Sequence, residues 1–210
     1  MNIAVAGAGY VGLSVSLLLA GENRVTAVDT DPEKVKKLNT EAAAGFPEAA
    51  PFLKGRRPDL TVVSDGTEAY RNADIVIICT PTDYDEEAGG LDTSSVEAVI
   101  EEVTEAGSRA YIVIRSTVPV GFTDRMNGRY GTDRILFSPE FLREAHCLED
   151  SFYPSRVIIG ARKDPEAERY AREFGELMLG SALSDAPLLL MSPAEAEAAK
   201  LFANTYLAAR

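Results

Sequence analysis

An apolar run, Ile3-Ala4-Val5-Ala6, passes directly into Gly7-Ala8-Gly9-Tyr10-Val11-Gly12, and from there into an apolar helical pattern and a second short strand closed by Asp29. A strand, a glycine turn, a helix and a strand ending in an acid form the unit that holds a dinucleotide. Gly7 permits the tight turn out of the strand, Gly9 lets the backbone approach a pyrophosphate, and Gly12 lets the helix pack closely. The helix N-terminus, with Tyr10 and Val11 in its first turn, offers N–H groups and a positive dipole end to the phosphates. Asp29 is placed to accept hydrogen bonds from the 2′- and 3′-hydroxyls of a ribose. That predicts NAD as the cofactor in preference to NADP, whose 2′-phosphate would meet the aspartate charge. A GxGxxG alone also occurs in ordinary turns; the strand before it and the helix and acid after it give it weight.

The same alternation continues along the chain. Strand-like runs at 3–6, 25–28, 75–79, 111–114, 135–137, 157–159 and 188–190 are separated by helical patterns at 11–20, 32–38, 94–104, 165–177 and 194–209. This predicts an α/β, Rossmann-like, doubly wound and mainly parallel sheet with helices on both faces. Asp31-Pro32 and Ser192-Pro193 read as helix starts, a capping side chain followed by proline at the first helical position. The Ala-, Gly- and Pro-rich stretch 41–58 reads as a surface excursion with some helix and not as a domain boundary. The organisation expected is a dinucleotide-binding domain over 1–191 and the start of a further helix over 192–210. No glycine or proline closes that last pattern, so the chain is expected to finish inside an element.

Charge and composition exclude several classes. With 21 Lys and Arg against 33 Asp and Glu, the net charge of -12 argues against a nucleic-acid or anionic-membrane surface, so anionic small ligands must be held by local dipoles and a few placed cations. No continuous apolar stretch is long enough to span a bilayer, and Met1-Asn2 runs into a strand with no basic leader, which predicts a cytoplasmic protein. The two cysteines, Cys79 and Cys147, lack metal spacing and read as bystanders in a reducing compartment, and the single histidine, His146, has no partner at triad or metal spacing. No metal site is expected.

In open parallel sheets ligands bind beyond the carboxyl ends of the strands. The residues just past the predicted strands are Gly7, Asp29, Thr80-Pro81-Thr82, Ser116-Thr117 and Ser138-Pro139-Glu140. Small hydroxyl residues and a proline there make a flat floor for a nicotinamide ring. Taken singly, Thr80-Pro81-Thr82 and Ser116-Thr117-Val118-Pro119 are more often ordinary strand exits than cofactor contacts; their coincidence along one sheet edge favours a cofactor site. In Pro139-Glu140-Phe141-Leu142-Arg143-Glu144, a helix would put Glu140 and Glu144 on one face. A solvated face with local salt bridges is the plain alternative. Lys200 and Asn204 share that spacing in the last helical pattern, near Leu201, Phe202 and Leu207, and could stabilise an oxyanion or hold a substrate hydroxyl; spacing alone fits solvent-facing side chains better.

The segments GAGYVGLS at Gly7, VDTDPEKV ending at Val35, CTPTDYD at Cys79, TSSVE at Thr93, STVPVGFT at Ser116, SPEFLREA at Ser138, PSRVIIG at Pro154 and EAEAAKLFANTYLAAR at the end together resemble the nucleotide-sugar 6-dehydrogenases. The resemblance runs through nearly the whole chain, and the loop 81–85 is most similar to members acting on UDP-glucose. It implies that Val11, Asp29, Lys34, Thr82, Thr117 and Glu144 contact NAD, and that Glu140 to Glu144, Lys200 and Asn204 handle the substrate. In that family the sugar C6 alcohol gives two hydrides to two successive NAD⁺ by way of an aldehyde, a cysteine thiohemiacetal and a thioester that water hydrolyses. By analogy Lys200 and Asn204 stabilise the oxyanion, Glu144 assists proton transfer and Thr117 positions water and nicotinamide. The family's homodimer through its central helix is likewise an expectation.

There are departures. The family's GGxC motif with the nucleophilic cysteine does not occur in these residues, nor does its UDP-binding C-terminal domain, and Ala145 replaces a frequent glycine. The expectation is therefore a chain that binds NAD without turnover by itself. Three alternatives stay open: a relative acting on GDP-mannose or UDP-N-acetylmannosamine, a non-catalytic NAD-binding module, and a hydroxyacid dehydrogenase needing no cysteine.

Overall fold

The computed structural model describes residues 1–87 and 89–208. Its elements in chain order are β1 (Asn2–Ala6), α1 (Tyr10–Leu19), β2 (Arg24–Val28), α2 (Pro32–Ala43), α3 (Ala50–Leu53), β3 (Leu60–Val63), α4 (Thr67–Arg71), β4 (Ile75–Ile78), the hairpin β5 (Tyr84–Asp85) and β6 (Gly90–Leu91), and α5 (Ser94–Glu105). Then come β7 (Tyr111–Ile114), α6 (Phe122–Tyr130), β8 (Ile135–Phe137), α7 (Cys147–Phe152), β9 (Val157–Gly160), α8 (Pro165–Ser181), β10 (Leu188–Met191) and α9 (Pro193–Ala208). Ala209, the last residue of the expected helical pattern, lies outside the described residues, as does the side chain of Leu207.

One sheet runs in the order β10-β9-β8-β7-β4-β1-β2-β3. All its pairings are parallel except β8 with β9, which meet only at Phe137 and Gly160. The chain winds outward from β1 to β3, then returns to lay β4 on the other side of β1, so the crevice between the carboxyl ends of β1 and β4 is the switch point where such sheets bind ligands.

The central strands are apolar on both faces because both are covered. Ile3, Val5, Ile75 and Ile77 join Leu17 of α1, Phe152 of α7 and Phe174 of α8 in one core. Ala4, Ala6, Val76 and Ile78 join Ile100 of α5, Phe122 of α6 and Ala196 of α9 in the other. The two expected helix starts form as read. Asp31 accepts from the Glu33 and Lys34 amides, and Ser192 and Glu195 bond reciprocally in a capping box.

The stretch 41–58 is not only a surface excursion. Phe46, Ala49 and Leu53 are buried in the first core, and Phe52 stacks on Phe152 at 5.3 Å. Its apolar residues are spaced too irregularly for a period to reveal them. Among the described residues no helix is long and apolar enough to cross a membrane.

Candidate cofactor site

The first turn is shaped by two close approaches. Gly7 takes φ +89°, where a side chain would also stand 2.7 Å from the Cys79 carbonyl oxygen, and a Cβ at Gly12 would fall on the carbonyl oxygen of Gly7. Gly12 thus lets α1 rest on the turn itself. At Gly9 the opposite holds: nothing lies within 4 Å of where a Cβ would stand. Gly9 caps α1, no side chain caps it, and the first turn holds no acid, so the helix's positive end faces an open space suited to a pyrophosphate.

Asp29 sits beside that space, 9% exposed. Its Oδ2 accepts from the Ala8 amide and Lys34 Nζ, both at 2.9 Å, and Oδ1 from the Asp31 amide at 3.1 Å. Burial pushes the Asp29 pKa up, but the Lys34 hydrogen bond, the Asp31 and Ala8 amides and the Lys34 charge outweigh it, and the carboxyl lies below its ordinary value. Lys34, given an NAD role by resemblance, is thus bound to Asp29 in this structure. The arrangement fits the adenosine ribose of NAD.

From there a cleft of about 380 Å³ extends across the strand ends, lined by Gly9, Tyr10, Val11, the 79–83 segment, Arg115 to Thr117, and Glu140. Its floor is fastened by two hydroxyls: Ser116 Oγ donates to the Thr80 carbonyl at 2.6 Å, and Ser95 Oγ, outside the cleft, to the Pro81 carbonyl at 2.7 Å. Thr80, Pro81, Thr82 and Thr117 therefore do converge on one edge, with Thr82 and Thr117 half-buried.

The segment 139–144 is not helical, so the shared face that a helix would give Glu140 and Glu144 does not arise; a short 3-10 turn begins only at Glu144. Glu140 turns inward, 14% exposed, and Lys200 Nζ donates to both its carbonyl oxygen and Oε1 at 2.7 Å. The Leu142 amide donates to its Oε2 at 2.8 Å, whereas Glu144 is exposed, so the two carboxylates do not share a face. The reason is tertiary: a buried lysine sixty residues away draws Glu140 into a charge pair that a helix would break. Phe141 lies under the Arg156 guanidinium, 4.3 Å from ring centre, with Lys200 Nζ 5.7 Å from the same ring. Arg143 is held by Asp150 through two side-chain bonds of 3.0 and 2.6 Å.

Lys200 is buried and Asn204, one turn further along α9, is exposed. Tyr10 and Glu140 line the same cleft, and the Tyr10 phenol is shifted up, first by burial and then by the Glu144 and Glu140 carboxylates. Cys79 is a poor nucleophile, its thiol pushed up to about 12 chiefly by burial. His146 is exposed, with Nδ1 3.1 Å from Glu149.

Two buried charged residues were not legible in the sequence. Arg115, buried immediately after the apolar β7, lines the cleft, and its Nε has no hydrogen-bond partner among the described residues. A charge directly following a four-residue apolar strand was the available signal. The other, Glu197, carried no signal in a helix rich in alanine and glutamate.

Residues 1–177 match the sequence model of the UDP-glucose/GDP-mannose dehydrogenase family, NAD binding domain. The chain is 42% identical over 213 residues to UDP-glucose 6-dehydrogenase of Streptococcus pneumoniae, covering all of this chain and 54% of that protein. Among solved structures it resembles a UDP-glucose dehydrogenase of Pyrobaculum islandicum (TM-score 0.79, 31% identity, 98% of this chain, 49% of that one). A GDP-mannose dehydrogenase of Pseudomonas aeruginosa, solved as a ternary complex, gives TM-score 0.79 at 26% identity, over all of this chain and 50% of that one. The chain spans about half the length of the curated relatives it matches.

Proposed function

Since the chain belongs to the UDP-glucose/GDP-mannose dehydrogenase family and carries its NAD-binding domain, we propose that it is the NAD-binding half of a cytoplasmic UDP-glucose 6-dehydrogenase that oxidises UDP-glucose to UDP-glucuronate. The observation that carries this is the convergence of the open α1 N-terminus, Asp29, Thr80 to Thr82, Thr117 and the buried Lys200–Glu140 pair along one sheet edge. NAD, when bound, supplies the hydride acceptor. Residues 1–191 are read as the binding domain and 192–210 as the beginning of a central connecting helix.

Asp29 holds the adenosine ribose, the first turn of α1 with Tyr10 and Val11 takes the pyrophosphate, and Thr80 to Thr82 with Thr117 floor the nicotinamide. Lys200 spends two donors on Glu140 and an ammonium has three. The third is available to a substrate oxygen on which negative charge develops, with Asn204 as a second donor. Phe141, Leu142 and Arg143 form the substrate-facing wall. The exposed Glu144 assists proton transfer during hydrolysis, and Thr117 orients water.

Trapping an aldehyde needs an accessible thiolate; Cys79 and Cys147 are both partly buried, the Cys79 thiol is pushed up to about 12, and that of Cys147 is also raised, first by burial. We therefore expect this polypeptide to bind NAD and to give no sustained turnover alone. Phe202 and Tyr206, 75% and 51% exposed on α9, are the surface we assign to homodimer contacts in the full-length enzyme.

The test is NADH absorbance with the chain, NAD⁺ and UDP-glucose, before and after adding a separately expressed C-terminal half of a relative. Two NADH per UDP-glucose only in the reconstituted pair is expected. Turnover by the chain alone, or a preference of the pair for GDP-mannose or UDP-N-acetylmannosamine, would refute the reading.

A further inference from the structure

Two side chains three residues apart on α9 reach two different strand-end loops. Glu197 is 0% exposed, and its carboxylate accepts from the Gly121 amide at 2.6 Å and the Thr123 amide at 2.8 Å, where α6 begins. Lys200, nearly one turn on, binds Glu140 beyond β8. The Gly121 turn follows the cleft-lining Thr117 by four residues; Val118 and Phe122 between and beside them are both 0% exposed, and the Phe122 amide bonds the Pro119 carbonyl at 3.1 Å.

Burying a carboxylate is unfavourable unless its charge is answered. Here the answer comes from backbone amides at the positive end of α6, whose own N-cap, Gly121, offers no side chain. A local cap such as serine would satisfy α6 without burying a charge. What the distant carboxylate adds is a rigid tie between α9 and the loop carrying Thr117.

We propose that Glu197 is a positioning residue for the nicotinamide half of the cofactor, bracing the 117–123 turn to α9 so that Thr117 stands in register with Lys200 and Glu140. This rests on the reading of the cleft as the NAD site with nicotinamide over Thr117.

ADP-ribose separates the two halves, since it keeps every group that Asp29 and α1 recognise and lacks the nicotinamide. In calorimetric titrations, Glu197→Gln should bind ADP-ribose within about twofold of the unaltered chain and NAD about tenfold more weakly, the scale of one lost charge-assisted hydrogen bond. Equal loss of both ligands, or unchanged NAD affinity in the folded variant, overturns the proposal. Should the variant not fold, hydrogen exchange on the unaltered chain decides: NAD should protect amides 117–123 beyond the protection given by ADP-ribose, and equal protection overturns the bracing role. If that extra protection is missing from Thr80 and Thr82 as well, the cleft reading has failed; if it persists there, only the role of Glu197 has.

Discussion

Replacing Asp29 by asparagine removes a charge at a point where three donors meet. The Ala8 amide and Lys34 Nζ converge on Oδ2 and the Asp31 amide on Oδ1. Asparagine has one acceptor oxygen, and its NH₂ would face at least one of these donors. A hydrogen bond to a charged group contributes ~1.5–3 kcal/mol, and the Lys34 share is discounted because that side chain is 41% exposed. The expected stability loss is about 2 kcal/mol, a fall in Tm of roughly 4–8 °C for a chain of this size. Because the folded-state pKa is depressed, the aspartate's contribution is fully present above the unfolded value of about 3.9 and is lost as pH falls through the folded value. The Tm difference between the two chains should therefore shrink on acidification below about pH 4. At pH 7, NAD should bind ~1–3 kcal/mol more weakly, roughly 5- to 150-fold. NADP should lose less, since the repulsion of its 2′-phosphate disappears with the charge. Calorimetric titration of both nucleotides and scanning calorimetry measure these effects. An unchanged ratio of NAD to NADP affinity in a folded Asp29→Asn chain would show that the charge does not select the cofactor.

Two further substitutions probe the site. Gly12→Ala should destabilise the chain by at least ~3 kcal/mol in denaturant titration and abolish NAD binding, because its Cβ would fall on the Gly7 carbonyl oxygen with only backbone to give way; a folded variant binding NAD normally would contradict the turn geometry. Lys200→Met should cost ~3–5 kcal/mol by leaving Glu140 charged and buried without its partner, and adding Glu140→Gln should recover part of that loss in a double-mutant cycle; strictly additive costs would mean the pair is not coupled.

The β1–α1–β2 unit was readable from residues 2–29 because its determinants are local: an apolar run, glycines where the backbone turns on itself, and an acid at the next strand end. The alternation that placed β4, β7, β8 and β9 was readable for the same reason, a strand buried on both faces being apolar throughout; β10 was readable from its apolar run although Leu189 and Leu190 are exposed at the sheet edge. β3 escaped because the exposed Thr61 breaks its apolar run, leaving Leu60 and Val62 as the buried residues of an edge strand. α6 escaped because nine polar-rich residues between two glycines show little period. For the 140–144 segment the sequence left open a helix face or a solvated stretch with local salt bridges, and neither describes the inward-turned Glu140. The i, i+4 spacing of its glutamates is a local signal, whereas its conformation is fixed by Lys200 across sixty residues of sequence. Glu197 at 0% exposure was invisible for the same cause: whether a glutamate faces water or a distant helix end depends on what packs against it, and the partners of Glu197 lie 74 and 76 residues away. The local sequence determined the strands, their end residues and the dinucleotide turn. Only the packing of α9 against β8, β9 and α6 decided which of its charges enter the site, because a buried charge takes its conformation from the partner that answers it.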